Sequence, residues 1–194
     1  GGYSGPTYLV TTEKWNGSTW TEVGDMSTGR RNLFSFGIQT AALGAGGYTS
    51  SPAAVTADAE SFDGTSWTAA AADMNTARDS GGSSGLSNAA LAFAGVEPSA
   101  SAKTEYFDGT TWTEVADLGT ARAFGAGSPA GTSSLALYAG SPGSSATEEF
   151  TVPSAPVSVA QEGQVWFNNT ATVLKGFGKQ GTGAWASGGD MNTA

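Results

Sequence analysis

The sequence predicts an all-β protein built from repeated four-stranded units, and three observations support this fold class. First, 29 of the 194 residues are glycine and only 13% are charged. Second, aromatic residues are spaced among Thr, Ser and Ala, which favours short strands joined by tight turns. Third, one motif recurs along the chain, and each complete copy contains an Asn-Gly or Asp-Gly turn between two aromatic residues.

The repeated motif occurs three times in full and begins a fourth time. The full copies are TEKWNGSTWTEVGDMSTGR at 12–30, AESFDGTSWTAAAADMNTAR at 59–78 and TEYFDGTTWTEVADLGTAR at 104–122. Their tryptophans, Trp20, Trp67 and Trp112, are 47 and 45 residues apart, an interval typical of four-stranded propeller blades. The fourth copy opens with TEEF at 147–150, and its matching tryptophan is delayed until Trp185.

Each copy predicts the four strands of one antiparallel sheet. An inner pair follows the repeated Arg and ends in glycine, and an outer pair joins a Glu-x-aromatic strand to a Trp strand through the Gly-containing turn. A single sheet cannot cover both of its faces, so the tryptophans are predicted to be buried between neighbouring sheets. The predicted structural anchors are Trp20, Trp67, Trp112, Trp185, Gly47, Gly95 and Gly140.

The fourth copy is interrupted by a segment of different composition. VPSAPVSVAQEG reads as an extended Pro/Ser linker, and QVWFNNTATVLKGFG places apolar residues on both sides of a turn, which predicts a hairpin. We therefore divide the chain into propeller blades at 1–152 and a linker with a short β-hairpin insertion at 153–184. Residues 185–194 are either the outer strand of the fourth blade or the start of a following propeller.

The absence of Cys and His excludes most catalytic chemistry. Without these residues the chain cannot assemble a thiol nucleophile, a Ser-His-Asp triad, or a metal site with thiolate or imidazole ligands. We predict no catalytic residue, no metal, no cofactor and no enzymatic activity. The net charge of -9 disfavours nucleic acid as a partner, and the sequence has no apolar run that approaches the ~20 residues needed for membrane insertion.

The order Gly-Gly, aromatic-Asp, Trp, Met or Leu, and Arg resembles the kelch repeat over about residues 1–150. This resemblance implies a kelch-like β-propeller of about four blade equivalents, alone or within a larger or multi-chain ring. The sequence contains three inner strand pairs but four outer strand pairs or parts of them. We therefore expect the missing inner pair to come from a longer polypeptide or a neighbouring copy.

The sequence of the repeats, which includes DMNTAR and FDGTSW, is similar to that of kelch-like arrays in virion and tail-fibre proteins of marine bacteriophages. This similarity implies a non-enzymatic structural or binding module of a phage virion appendage or a similar extracellular fibre. The implied location is the virion or the extracellular space. The implied partners are other protein subunits, either copies of this chain or neighbouring chains.

Three arginines, Arg30, Arg78 and Arg122, occupy one position of the repeat. In a closed ring they would lie around one rim of the channel, and the kelch resemblance implies an anion or carboxylate site there. We favour the alternative of structural ion pairs, which are common in proteins. The candidate acidic partners are the repeat glutamates or Asp25, Asp73 and Asp117.

A carbohydrate- or peptide-binding adhesin is the second interpretation. Tyr3, Tyr8 and Tyr48 lie in variable loops, where their rings would be available to stack on a cell-surface glycan. The loops at about 48–56 and 96–103 otherwise contain mostly Ser, Pro and Ala, which offer few hydrogen-bond donors. Asp63 and Asp108 are interpreted as turn residues, because no acidic residues follow at the spacing that a calcium loop requires.

Overall fold

The computed structural model describes residues 1–5, 7–151, 165–168 and 173–176. Every regular element among these residues is a β-strand, and none of them lies in a helix. The all-β class that the sequence predicts is therefore confirmed. Within this part of the chain there is accordingly no helix long and apolar enough to cross a membrane.

The chain divides into two compact bodies, Gly1–Thr151 and Val152–Ala194. The first body contains β1 (Gly2–Ser4), β2 (Thr7–Leu9), β3 (Thr12–Trp15), β4 (Trp20–Val23), β5 (Arg30–Arg31), β6 (Phe34–Ile38), β7 (Ala41–Ala45), β8 (Tyr48–Ser50), β9 (Ala53–Val55), β10 (Ala59–Phe62), β11 (Trp67–Ala69), β12 (Gly82–Leu86), β13 (Ala89–Phe93), β14 (Val96–Glu97), β15 (Ser99–Ala100), β16 (Thr104–Phe107), β17 (Trp112–Glu114), β18 (Leu135–Ser141) and β19 (Ser144–Thr151). The second body contains β20 (Val165–Asn168) and β21 (Val173–Gly176), which pair antiparallel where the sequence predicts a hairpin. The predicted linker up to residue 164 and the stretch 185–194 with Trp185 lie outside the described residues.

Two four-stranded antiparallel sheets correspond to complete copies of the repeat. The first, called unit II here, has the strand order β6-β7-β10-β11, and the second, unit III, has the order β12-β13-β16-β17. Each consists of an inner hairpin followed by an outer hairpin, as the repeat predicts. The outer hairpin β3-β4 forms unit I, and β18 pairs with β19 to form unit IV.

Unit I consists of an outer pair alone, as expected from the count of three inner pairs for four outer pairs, and unit IV has two regular strands among the described residues. Among the described residues, no strand pairs with the inner edge of β3 in unit I. In unit IV, the innermost strand is reduced to isolated bridges such as the one between Ala126 and Ala139. The stretch from Arg122 to Gly140 is one residue longer than the matching stretch in unit III and contains Pro129, which has no amide hydrogen to donate. These two features disturb the regular ladder there.

Small hairpins lie between the inner and outer halves of the units. The β8-β9 hairpin belongs to unit II, where β5 adds a third strand to it, and the β14-β15 hairpin belongs to unit III. The β1-β2 hairpin stands at the matching place before unit I. These hairpins correspond to the variable loops of the repeat, so residues that differ between units are concentrated in them.

The core lies between successive units. Phe36 of unit II packs with Ala90 and Trp112 of unit III in one buried cluster. A second cluster joins units III and IV through Phe93 and Tyr138, whose rings meet edge to face with centroids 5.6 Å apart. Unit III is thus covered by a neighbour on each face, which is how stacked repeats bury the apolar surface that one sheet cannot bury alone.

One cross-strand position in the inner hairpins combines a ring with a very small residue. Phe34 faces Ala45 in unit II, and Gly82 faces Phe93 in unit III. A Cβ atom at Gly82 would lie only 2.4 Å from Phe93 Cε2, so glycine is required there by the close approach of the ring. Each of these two pairs therefore holds one aromatic ring and no more.

The repeat tryptophans contact the unit that precedes them in the chain. Trp112 is 6% exposed, lies 6.0 Å from the Phe36 ring, and donates a hydrogen bond from Nε1 to the Ala72 carbonyl at 3.2 Å. Trp67 is half-buried, and its Nε1 donates to Thr12 Oγ1 at 2.9 Å. Both indoles therefore connect neighbouring units.

Trp20 does not have the burial that its repeat position predicts. It is 64% exposed, and its ring lies against that of Trp15, which is itself 43% exposed, with centroids 5.5 Å apart. The reason is geometric, because each repeat tryptophan is covered by the preceding unit and the described part of the chain has no unit before unit I. The expectation that Trp20 is buried between two sheets is thus corrected.

Candidate functional site

The three repeat arginines lie at the ends of the connectors that lead into units II, III and IV. Each guanidinium forms an ion pair with the repeat glutamate of the unit that its connector leads into. This glutamate is on the outer hairpin in units II and III and on β19 in unit IV. In unit III, Arg78 Nη2 lies 2.9 Å from Glu105 Oε1. The equivalent pairs are Arg30 with Glu60 and Arg122 with Glu148.

Each arginine also donates to backbone carbonyls. In unit III, Arg78 Nη1 donates to Ala94 O at 2.7 Å and to Lys103 O at 2.6 Å, and the free oxygen of Glu105 accepts the Asn75 amide at 2.6 Å. In unit II, Arg30 donates to the carbonyls of Gly46 and Asp58, and Glu60 accepts the Ser27 amide. In unit IV, Arg122 donates to the Ala146 carbonyl, and Glu148 accepts the Gly119 amide. One ion pair therefore ties together the connector, the inner hairpin and the outer hairpin.

The arginines are almost completely buried. Arg30, Arg78 and Arg122 are 1%, 0% and 4% exposed. Burial lowers the pKa of the Arg78 guanidinium from its ordinary value, and the negative charge of Glu105 opposes that shift. An anionic ligand would have to displace a buried glutamate to reach Arg30 or Arg78, and to reach Arg122 it would have to displace Glu148, whose side chain is 32% exposed. This geometry corresponds to the structural alternative for these residues.

The connector aspartates have a different role from the glutamates. Asp73 accepts the Ala59 amide at 2.9 Å, and Asp117 accepts the Thr104 amide at 3.0 Å. Each aspartate thus fixes its connector to the unit that the chain is leaving, whereas the following arginine fixes the connector to the unit that the chain enters. The two repeated charges hold opposite ends of one connector.

The three glycine anchors all have positive φ angles, at +103° for Gly47, +108° for Gly95 and +70° for Gly140. The Gly47 amide donates to the Arg78 carbonyl at 2.8 Å, and the Gly95 amide donates to the Arg122 carbonyl at 2.9 Å. The glycines therefore link each inner hairpin to the connector of the next unit. A Cβ at Gly95 would lie 2.5 Å from the Asp79 carbonyl oxygen, which leaves no room for a side chain.

The turn aspartates Asp63 and Asp108 accept backbone amides of their own turns. Asp108 Oδ1 accepts the Thr110 and Thr111 amides, each at 2.8 Å, and the Thr110 hydroxyl at 2.7 Å. These hydrogen bonds lower the pKa of Asp108 to about 2, and similar bonds lower the pKa of Asp63. In the part of the chain that the structure describes, no three acidic side chains are grouped as metal ligands.

The structure also reveals a cluster that the sequence analysis missed, formed by Arg31, Tyr3, Tyr8 and Tyr48 and called the Arg31 cluster below. The Arg31 guanidinium carbon lies 5.3 Å from the Tyr3 ring centroid and 5.2 Å from those of Tyr8 and Tyr48. Tyr3 and Tyr8 are opposite each other on β1 and β2, and Arg31 is opposite Tyr48 on β5 and β8. The tyrosines are the ones that the sequence suggests for stacking on sugars, but here they surround an arginine.

Arg31 was missed because it follows Arg30 directly, and only Arg30 belongs to the repeat. Adjacent residues of a strand point to opposite faces. Arg30 is therefore buried in its ion pair while the Arg31 side chain reaches the hairpins. This alternation is the one signal in the sequence that separates the two arginines.

Comparison with known proteins identifies a likeness in fold. No family model matches the chain, and no curated protein matches it. Among solved structures, one described as "Structure of YjhT" is similar, with a TM-score of 0.61 and 14% sequence identity. The likeness covers 75% of this chain and 50% of the other, so the chain spans about half of that neighbour's length. At this identity the similarity concerns the fold alone.

Proposed function

We propose that the chain supplies kelch-type blades of a β-propeller and acts as a non-enzymatic structural or binding module. Two complete four-stranded units that pack face to face support the propeller, together with the 47- and 45-residue intervals of the repeat. Units I and IV supply the remaining two of about four blade equivalents.

The main support for this proposal is that the repeated polar residues form ion pairs and hydrogen bonds within the scaffold. In units II, III and IV the repeat arginines pair with the repeat glutamates, and the connector aspartates Asp73 and Asp117 accept backbone amides, so that these residues fix the connectors to the units that they join. Catalytic groups need a free lone pair, proton or nucleophile that faces a substrate. Residues that are buried in ion pairs do not offer one, so the repeated positions favour a scaffold over an enzyme.

We assign the module to a phage virion appendage or a similar extracellular fibre. The similarity of the repeat sequences, such as DMNTAR and FDGTSW, to kelch-like arrays of phage fibre proteins supports this assignment. An antibody raised against the chain is expected to label appendages of purified virus particles from a host culture that carries the gene, as seen by immunogold electron microscopy. Labelling confined to the cell fraction, with particles free of label, would contradict the assignment.

The proposed partners are other subunits that complete unit I. The inner edge of β3 has no partner strand in the described residues, and Trp20 on the paired strand β4 is exposed. An open strand edge next to an apolar face favours pairing with a further strand. Sedimentation equilibrium of the isolated chain should show self-association that Trp20→Ser weakens. A monomer at all concentrations would contradict a partner that is a second copy.

A secreted adhesin is the second candidate function, and the Arg31 cluster is the observation that favours it. Three aromatic rings gathered in surface hairpins, with Tyr3 56% exposed, are suited to contact a ligand. Binding of the chain to defined glycans on an array would support this candidate. Virion labelling without any glycan binding would favour the purely structural role.

A further inference from the structure

We propose that the Arg31 cluster is a binding site for a single carboxylate carried by a sugar, such as a terminal hexuronic acid of an otherwise neutral glycan. This inference deepens the binding side of the proposed function and rests on it. The ligand carboxylate would meet the guanidinium of Arg31, and the sugar ring would pack beside the exposed ring of Tyr3. Three features of the cluster favour such a ligand: the charge of Arg31, the restraint of its guanidinium by the rings, and the absence of the cluster from the other units.

Arg31 carries a positive charge that no acidic side chain among the described residues pairs with. Each of the three repeat arginines has a glutamate partner, but no described carboxylate lies within salt-bridge distance of Arg31. Its Nε is buried without a partner, as it is in the three repeat arginines, but unlike theirs its guanidinium donates to no acceptor among the described residues. The tyrosine rings stabilise the cation through their negative faces but accept no forked hydrogen bonds. The cluster therefore holds a cation whose donors are unused.

The guanidinium of Arg31 is planar, and the tyrosine rings hold it in place. Three rings at nearly equal distances restrain the guanidinium, so little side-chain entropy is left to lose when a ligand binds. The planar guanidinium presents two parallel donors that match the two oxygens of a carboxylate. A carboxylate is therefore the group that this cation is best suited to recognise.

The Arg31 cluster is not part of the repeated scaffold. The residue after the repeat arginine is Arg31 in unit II, Asp79 in unit III and Ala123 in unit IV. Units III and IV are held together by the same ion pairs without an arginine at this position. Stacking of the units thus does not require Arg31, which distinguishes it from Arg30.

The tyrosines are also specific to this part of the chain. Tyr48 follows the glycine anchor of unit II, and the matching residues are Val96 and Ser141. The β14-β15 hairpin of unit III contains no aromatic residue. The cluster is therefore a local addition to a common framework, as expected for a ligand site placed in variable loops.

The choice of a sugar with one carboxylate follows from the surroundings. Tyr3 offers an exposed apolar ring with a hydroxyl at its end, which suits the mixed apolar and polar surface of a pyranose. The chain has a net charge of -9, so a polyanion would be repelled at long range. A ligand with one negative charge on a neutral glycan avoids most of that repulsion and still engages the arginine.

The test uses the whole chain and pairs of ligands that differ in the carboxylate. Methyl glucuronide and methyl galacturonide are compared with methyl glucoside and methyl galactoside by saturation-transfer NMR and titration. At least one uronide should bind, and its neutral counterpart should bind about tenfold more weakly or not at all, as the loss of a charged hydrogen bond implies. Failure of both uronides to bind overturns the proposal, as does equal binding of the neutral sugars.

Variants locate the site. Arg31→Gln should weaken uronide binding about tenfold or more, and Tyr3→Ser should weaken it without removing the charge. Lys103→Gln is the matched control, since it removes another partly exposed cation in unit III and should leave binding unchanged. Wild-type binding by Arg31→Gln overturns the proposal. If that variant melts too early for titration, Tyr3→Ser decides, and unchanged binding by it overturns the site.

A peptide arm separates the sugar from other carboxylates. A short neutral peptide with one free C-terminal carboxylate should bind more weakly than the uronide, and equal binding would overturn the assignment to a sugar. The result is independent of the virion assignment. A chain that labels virions but binds no uronide would refute only this site, whereas a chain that binds uronide without labelling virions would refute only the location.

Discussion

Phe34 and Phe93 occupy opposite members of the same cross-strand pair in successive units. Phe34 is on the innermost strand of unit II and faces Ala45, whereas Phe93 is on the second strand of unit III and faces Gly82. Both rings are buried, at 1% and 3% exposure. The space between inner strands thus accepts one ring from either strand, and this restriction can be tested directly.

Gly82→Ala is expected to destabilise the chain because the new Cβ would lie 2.4 Å from Phe93 Cε2 and 2.8 Å from Tyr138 Cδ2. Overpacking of this kind costs roughly 1–3 kcal/mol, and Phe93→Ala alone costs roughly 3–5 kcal/mol. In the Phe93→Ala background the added methyl should cost less, because the nearer of the two rings is gone and only the Tyr138 ring remains close to it. Urea unfolding of all four proteins measures this coupling. Strictly additive effects would show that the ring and the glycine do not compete for one space.

The repeat tryptophans should differ in their contributions to stability. Trp112→Ala removes an indole that is 6% exposed and is expected to lower the free energy of unfolding by about 3–5 kcal/mol. Trp20→Ala is the matched control, because it removes the same side chain from the same repeat position where it is 64% exposed. Its expected effect is below about 1 kcal/mol. Equal losses in chemical denaturation, measured at low protein concentration, would contradict the exposure of Trp20.

The buried ion pair of unit III should be strongly coupled. Glu105→Gln leaves the Arg78 charge buried without its counterion and is expected to cost roughly 3–5 kcal/mol. The combined change Arg78→Met with Glu105→Leu should cost less than the sum of the two single changes, because no uncompensated charge remains. Thermal and urea unfolding provide the measurements.

The exposed pair between Lys103 and Glu97 provides the control for this cycle. Its two side chains are 37% and 30% exposed and lie 3.2 Å apart. Glu97→Gln is expected to change stability by less than about 1 kcal/mol. If Glu105→Gln proved as mild as Glu97→Gln, the arginines would not be scaffold residues, and the rim-site interpretation of Arg30, Arg78 and Arg122 would regain support.

Much of the fold could be predicted because its signals are local. The Asn-Gly and Asp-Gly turns fix hairpins whose register follows from the chain on either side, as in the pairing of Phe62 with Trp67. The repeat interval then shows which residues are equivalent. Both properties depend on neighbours in sequence, which a single chain displays completely.

Properties that depend on neighbours in space were harder to predict. An aspartate recurs at the repeat position of Asp73 and a glutamate at that of Glu60. The spacing of these positions could not decide which of the two acids pairs with the arginine. The choice depends on which end of a sheet the connector crosses. The burial of Trp20 depends on whether another unit lies before it. The Arg31 cluster depends on the register of two separate hairpins, whose residues are up to 45 positions apart.

The turn of unit III should show a specific pH dependence. The pKa of Asp108 is lowered from 3.8 to about 2 by the hydrogen bonds of its carboxylate, so the folded protein favours the charged form. A lowered folded-state pKa stabilises the protein above the unfolded value, and this stabilisation is lost as the pH falls from about 4 through about 2. In Asp108→Asn the loss over this window should be smaller than in the wild type.

Asparagine is a suitable replacement because the chain already contains it in the equivalent turn of unit I. Asn16 Oδ1 accepts the Ser18 and Thr19 amides, each at 2.9 Å, in the same arrangement as Asp108. The substitution therefore keeps the turn and removes only its titration. The melting temperatures of both proteins are compared from about pH 5 to about pH 2, a range that includes the pH values over which the Asp108 carboxylate takes up its proton. Parallel curves would show that the Asp108 carboxylate does not stabilise the turn, whereas curves that converge toward low pH follow from its loss of charge.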